Sequence, residues 1–172
     1  MEARKFFAVF IMLSVFATGF AQETSKKALR EQNKIQKQQQ IEAIINSNEF
    51  VFEASQALPQ GGKMVILTGS SYTLKFHNDT IESYLPFFGR AYSVDYGGDG
   101  GIKFKGKPDE YKVVTQKAGK GHDIYASVKG QKDYYKLYLS VSTDGGATLV
   151  IDSNQRSHIS YRGDIQKLEE IK

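Results

Sequence analysis

From Glu49 onward the apolar residues of this chain recur every second position, and that period limits the fold more than any other feature. Phe50, Phe52 and Ala54 alternate with their neighbours, as do Tyr72, Leu74 and Phe76, then Ile102 and Phe104, then Ile124, Ala126 and Val128. In later segments Leu137, Leu139 and Val141 read as inward against Lys136, Tyr138, Ser140 and Ser142, and Ala147, Leu149 and Ile151 repeat the pattern. Turn signals punctuate these runs: Pro59-Gln60-Gly61-Gly62, His77-Asn78-Asp79, Gly97 to Gly101, Lys107-Pro108-Asp109, Gly119-Lys120-Gly121, Gly130 to Asp133, Asp144-Gly145-Gly146 and Ser153-Asn154-Gln155. Short strands joined by short loops leave no room for the crossover helices of a parallel sheet. The expectation is an all-β, single antiparallel domain over residues 49–172. Alternation is the same in both architectures, so sandwich and barrel stay open.

The segment before Glu49 obeys a different period. Arg4 and Lys5 precede an apolar run from Phe6 to Ala17, and Gly19-Phe20-Ala21 supplies small residues where a signal peptidase reads, so residues 1–21 read as a signal peptide cut before Gln22. An apolar run of that length is short for a hydrocarbon core of about 30 Å, so no transmembrane span is expected after cleavage. The chain has no Cys, which excludes both a disulfide framework and the lipid anchor that needs a Cys at the cut site. Residues 22–48 read as a polar helical arm. Ile41, Ile44 and Ile45 fall at helical spacing, so a helix from about Lys26 to Ile45 docks only its last two turns.

The net charge of +4 is not spread evenly. Gln22 to Gln40 holds Lys26, Lys27, Arg30, Lys34 and Lys37 against Glu23 and Glu31, while acids and bases balance from Ile41 to Lys172. A body without basic excess lacks the electrostatic footprint of nucleic-acid binding, and nucleic acid is discounted as a partner.

Catalytic and metal signals are sparse. His77, His122 and His158 share no metal-ligand spacing and no thiolate accompanies them, so neither a metal nor a cofactor is expected. The run Gly97-Gly98-Asp99-Gly100-Gly101 leads into a strand rather than a helix N-terminus, which removes a phosphate cradle, and Asp95 with Asp99 lacks calcium-loop spacing. Asp109 and Glu110 read as loop-borne and solvated. No nucleophile elbow or Walker loop occurs, so no catalytic residue is named.

Two aromatic groups remain as binding candidates. In Ser83-Tyr84-Leu85-Pro86-Phe87-Phe88-Gly89-Arg90-Ala91-Tyr92, Arg90 with Tyr84 or Tyr92 forms a candidate anion clamp, because a planar guanidinium binds carboxylate or phosphate bidentately. The competing reading makes Pro86 and Gly89 a strand corner, with Phe87 and Phe88 plugging the core. Tyr134, Lys136 and Tyr138 share the outward side of one strand and form a candidate interaction surface, set against ordinary sheet packing.

The string Tyr84-Leu85-Pro86-Phe87-Phe88-Gly89-Arg90-Ala91-Tyr92, with Gly101-Ile102-Lys103-Phe104, Gly146-Ala147-Thr148-Leu149 and Ile159-Ser160-Tyr161-Arg162-Gly163, resembles the family of exported Bacteroidetes proteins known as domain of unknown function 4251. The resemblance spans about Glu49 to Ile165. It implies an exported Gram-negative domain, β-rich and single, and brings no activity, cofactor or catalytic residue. The resulting expectation is a non-catalytic binding module of the periplasm or cell exterior. A small apolar ligand would sit inside a barrel, with Arg90 near its mouth. The alternative is a surface adaptor that meets an envelope protein, and a hydrolase ranks third.

Overall fold

The alternation resolves, in the computed structural model, into ten strands whose apolar positions turn to one side. Residues 26–69, 72–92, 100–131 and 133–168 are described; the signal-peptide reading and most of the Gly97–Gly101 run lie outside them. A helix, α1, covers 26–46 and stops at Asn48, whose φ of 54° is a left-handed conformation that asparagine tolerates. The strands follow as β1 (Glu49–Pro59), β2 (Val65–Ile66), β3 (Thr73–His77), β4 (Thr80–Leu85), β5 (Ile102–Gly106), β6 (Pro108–Thr115), β7 (Gly121–Lys129), β8 (Tyr134–Ser142), β9 (Gly146–Ser153) and β10 (Ile159–Lys167). A 3-10 turn at Lys117–Gly119 separates β6 from β7. Two compact units divide at residues 37 and 38, so the unit that holds the core, Gln38–Lys172, takes in the end of α1.

Neighbouring strands pair in the order β5-β4-β3-β1-β10-β9-β8-β7-β6, every pair antiparallel, with short β2 set against β1. This is chain order wrapped into a circle and opened at one place, between β5 and β6. The first strand lies beside the last, which closes the sheet into a nearly complete barrel and decides against an open sandwich. The alternating residues fill it. Phe50, Phe52, Leu74, Ile81, Leu85, Ile102, Ile124, Val128, Leu139, Leu149, Ile151, Ile159 and Tyr161 are all buried, and Phe50 stacks on Phe76 at 4.4 Å. Ile41 and Ile45 of α1 join the same core.

Two strands differ from the sequence reading. Lys107-Pro108-Asp109 is not a turn: only Lys107 separates β5 from β6. The chain leaves its pairing with β4 and continues into pairing with β7, so Asp109 and Glu110 lie on a strand rather than a loop. All eight residues of β6 are at least partly exposed, which erases the alternation that marks the other strands. Pro108 is tolerated as the first residue of an edge strand, where no ladder N–H is needed.

The other is β10, which is absent from the alternating runs given above and extends from Ile159 to Lys167. Arg162-Gly163-Asp164 is polar enough to resemble a turn, yet Gly163 pairs with Ala54 beside the irregularity in β1 between Ala54 and Gln56. A Cβ on Gly163 would stand 1.9 Å from the Glu53 carbonyl oxygen, so only glycine lets the two strands meet there. Gly163→Ala is therefore expected to destabilise the fold by about 1–3 kcal/mol, because backbone must shift to admit the methyl. A urea midpoint unchanged from that of the parent would show that the closure does not depend on this contact.

Candidate functional site

The strand order is broken between β5 and β6, and a cleft of about 710 Å³ lies against β5, with no β6 residue among its walls. Its walls come from β4 and β5 (Glu82, Tyr84, Lys103, Lys105), from the β7–β8 turn (Lys129, Gly130, Gln131, Asp133) and from the β9–β10 turn (Gln155, Arg156). The floor is the pair Phe104 and Tyr135, stacked at 4.5 Å and 20° and almost wholly buried. Gly130 allows the turn to lie against this pair, since a Cβ there would come within 2.9 Å of the Tyr135 ring.

Hydrogen bonds fix both turns. Asp133 accepts from its neighbour's backbone, Tyr134 N at 2.8 Å, and from the end of the adjacent strand β9, Asn154 N at 3.1 Å and Ser153 Oγ at 2.5 Å. That carboxylate is occupied in tying the β7–β8 turn to the β9–β10 turn. Residues 90–92 are laid against the latter: Tyr92 N donates to Gln155 O at 2.8 Å, Ser157 N to Arg90 O at 2.9 Å, and Ala91 bridges Arg156. The Tyr161 hydroxyl donates to Pro86 O at 2.7 Å and holds the start of the same segment from inside the barrel.

Arg156 is consequently held in place while keeping donors to spare. Its guanidinium lies over the Phe87 ring at 5.2 Å, and Nη1 donates to the Gly100 carbonyl. A guanidinium carries five N–H donors, and among the described residues no carboxylate pairs with this one. Its side chain is partly buried, so the charge is only partly screened by water. Lys129 adds a cation on the facing wall. Lys103 stands 4.2 Å above the Tyr84 ring, and Lys105 makes an exposed pair with Glu82 at 3.2 Å. Among the described residues four cations and two carboxylates line the cleft, and both carboxylates are engaged, Glu82 by Lys105 and Asp133 by the two turns.

The candidates named from sequence are distributed differently. Tyr84 forms part of the cleft wall. Arg90 and Tyr92 do not line it: their backbones pin the 86–92 segment while their side chains are exposed. Phe87 packs against the core, whereas Phe88 is 42% exposed. Tyr134, Lys136 and Tyr138 occupy β8, where Tyr138 faces Tyr125 at 5.0 Å and donates to Asp123 Oδ1 at 3.0 Å. The same Asp123 oxygen accepts from Gln116 Nε2 at 2.7 Å, so this outer tyrosine is rigidly held. Arg156 itself escaped the sequence reading because a turn residue carries no periodic signal, and only the fold sets it over Phe87. Among the described residues no three His, Asp or Glu side chains converge on a metal-sized site.

Burial raises the phenols beneath the cleft. Tyr161 is pushed strongly upward by desolvation, opposed by the nearby Arg156 charge; Tyr135 is raised by burial and by Asp133, again opposed by Arg156. A raised phenol favours the neutral form in the native state, so its stabilising effect is complete below the ordinary value of 10.0 and declines as pH climbs above it. Alkaline unfolding of the parent should steepen above pH 10.0, and Tyr161→Phe should flatten that limb while costing about 1 kcal/mol near neutrality through the lost bond to Pro86. Identical alkaline limbs in the two proteins would remove Tyr161 from this account.

Comparison with known proteins agrees with the resemblance noted above. A family model described as domain of unknown function (DUF4251) matches residues 32–165. The crystal structure of a DUF4251 family protein from Bacteroides eggerthii superposes with a TM-score of 0.60 at 20% sequence identity, covering 76% of this chain and 87% of that one. At that identity the likeness concerns the fold alone. No curated protein matches the chain. The family match spans most of the sequence, barrel strands and cleft residues included, and the chain belongs to the DUF4251 family.

Proposed function

We propose that this protein is an exported, non-catalytic binding module that holds a small anionic molecule or the anionic group of an envelope component in the cleft beside β5. The observation that carries this reading is Arg156, partly buried, oriented by Phe87 and Gly100, and without a carboxylate partner among the described residues. A cation held in this way costs free energy unless something pairs with it, and a carboxylate or phosphate matches its planar donors. Tyr84 and the rim lysines offer apolar contact and further charge around it. The interior is packed with stacked rings, Phe50 on Phe76 and Phe104 on Tyr135, which favours a ligand at the cleft over one enclosed in the barrel. Export rests on the basic start, apolar run and small residues of positions 1–21. Among the described residues no helix is long and apolar enough to cross a membrane.

A second reading, an adaptor that meets an envelope protein, draws on the outward face of β7 and β8. Tyr125 is 45% exposed there beside Tyr138, Tyr134 and Lys136, and Tyr138 is already ordered by Asp123, which lowers the entropy lost on contact.

The two readings part in one experiment. Native mass spectrometry of protein purified from its own envelope should show an added mass that denaturation releases and that carries a carboxylate or phosphate. Arg156→Gln should weaken its retention by about ten- to hundredfold, the loss of one charge-assisted contact. Lys129→Gln should weaken it less, with both melting temperatures recorded to separate binding from folding. An Arg156→Gln protein that keeps the full complement of ligand would overturn the cleft reading. A clean mass for the parent would move attention to the tyrosine face.

A further inference from the structure

The discontinuity leaves two strands at the ends of the sheet, and they are not equivalent. β5 is crowded on its outer side: a Cβ on Gly106 would be 3.3 Å from Lys129 O, and one on Gly130 would be 3.6 Å from the Phe104 Cβ. β6 pairs with β7 on one side only, and its residues are exposed along the whole strand, including Tyr111, Val113 and Val114 at 36–37%. An edge of this kind presents unpaired backbone N–H and C=O groups that another strand can complete. Among the described residues β6 is the long accessible edge, since β2, which also pairs on one side only, has just two residues.

We propose that β6 pairs antiparallel with β6 of a second copy of this chain, around a two-fold axis at Tyr111. Residues that offer their backbone groups to one edge alternate along a strand, so two identical antiparallel strands pair only in registers where some residue faces its own copy. The charges on β6 distinguish these registers. An axis at Glu110 sets Glu110 against itself, and an axis at Lys112 sets Lys112 against itself; like charges directly opposite destabilise a sheet. An axis at Val113 leaves both charges without an opposite. The axis at Tyr111 places Glu110 opposite Lys112 of the other copy, twice, with Tyr111 facing Tyr111, and the regular ladder ends at Glu110, where β6 changes register between Pro108 and Glu110.

Neither Glu110 nor Lys112 has an ion-pair partner within its own chain among the described residues. Pro108, which has no N–H to give, falls beyond the end of the resulting ladder. Because a two-fold pair consumes the β6 edge of both copies, this contact closes as a dimer and does not by itself extend into a fibre. This inference concerns a face separate from the cleft and stands whether or not an anion binds there.

The absence of native cysteine makes the register directly measurable. In sedimentation equilibrium the purified protein should show a concentration-dependent dimer. Lys112→Glu or Glu110→Lys alone should weaken it about tenfold, since either change places two like-charge pairs opposite each other. The combined Glu110→Lys and Lys112→Glu protein should recover parental association. Under mild oxidation Tyr111→Cys should cross-link to itself and Val113→Cys should not. Parental melting behaviour in the charge variants keeps the comparison valid even where Tyr111→Cys loses its packing on Phe76. A monomer at all concentrations, indifference to the single reversals, failure of the double reversal to recover, or linkage through position 113 alone would each overturn the proposal.

Discussion

The pairing of the first strand with the last is the interaction on which the rest of this structure depends. β1 and β10 lie side by side over their lengths, from Phe50 opposite Lys167 to Pro59 opposite Ile159. Without that ladder the remaining strands form two open meanders, each with one apolar face exposed. With it they share a single interior in which Phe52, Leu149, Ile159 and Tyr161 are fully enclosed. Closing a sheet requires curvature, and the chain supplies it where β1 changes register between Ala54 and Gln56, opposite a glycine that lets the backbones meet. The closure is also the most distant pairing in sequence, so its loop entropy is repaid only when the whole barrel assembles.

Closure between β1 and β10 leaves the break in the sheet at another place, between β5 and β6. The strand 102–115 serves two neighbours in turn, β4 with its first half and β7 with its second, and the bend at Lys107 leaves a gap in the ladder. Backbone and charge that the regular sheet would have absorbed collect around this gap. Asp133 binds two turns together, the 86–92 segment is fastened by Tyr161 and Ser157, and Arg156 is left with donors facing a cleft. Position, more than residue type, gives Arg156 its character: Arg90 has the same chemistry and lies beside it through the Ala91–Arg156 bridge, but its side chain is solvated.

Much of this was legible in the amino-acid sequence for a physical reason: burial on one face of a strand imposes a period of two. That period marks the buried residues of β1, β3, β5, β7, β8 and β9 directly, and Asp144-Gly145-Gly146 marks the hairpin between β8 and β9. It fails for β6, which is exposed on both faces, and for the end of β10, where a glycine chosen for close approach looks like a turn. Membership of the DUF4251 family was visible in the aromatic string from Tyr84 to Tyr92.

What the sequence determined by itself was therefore local: strand, turn and helix, which side of each strand is apolar, and a charge excess confined to the residues before Ile41. Barrel against sandwich, the place of the gap, and the convergence of Tyr84, Lys129, Tyr135 and Arg156 on one cleft were decided only by the tertiary structure. The reason is that a strand's pattern records how deeply each residue is buried and says nothing of which strand lies beside it. Neighbours across the ladder are set by closure and by the few glycines that permit it, and those relations join residues far apart in the chain.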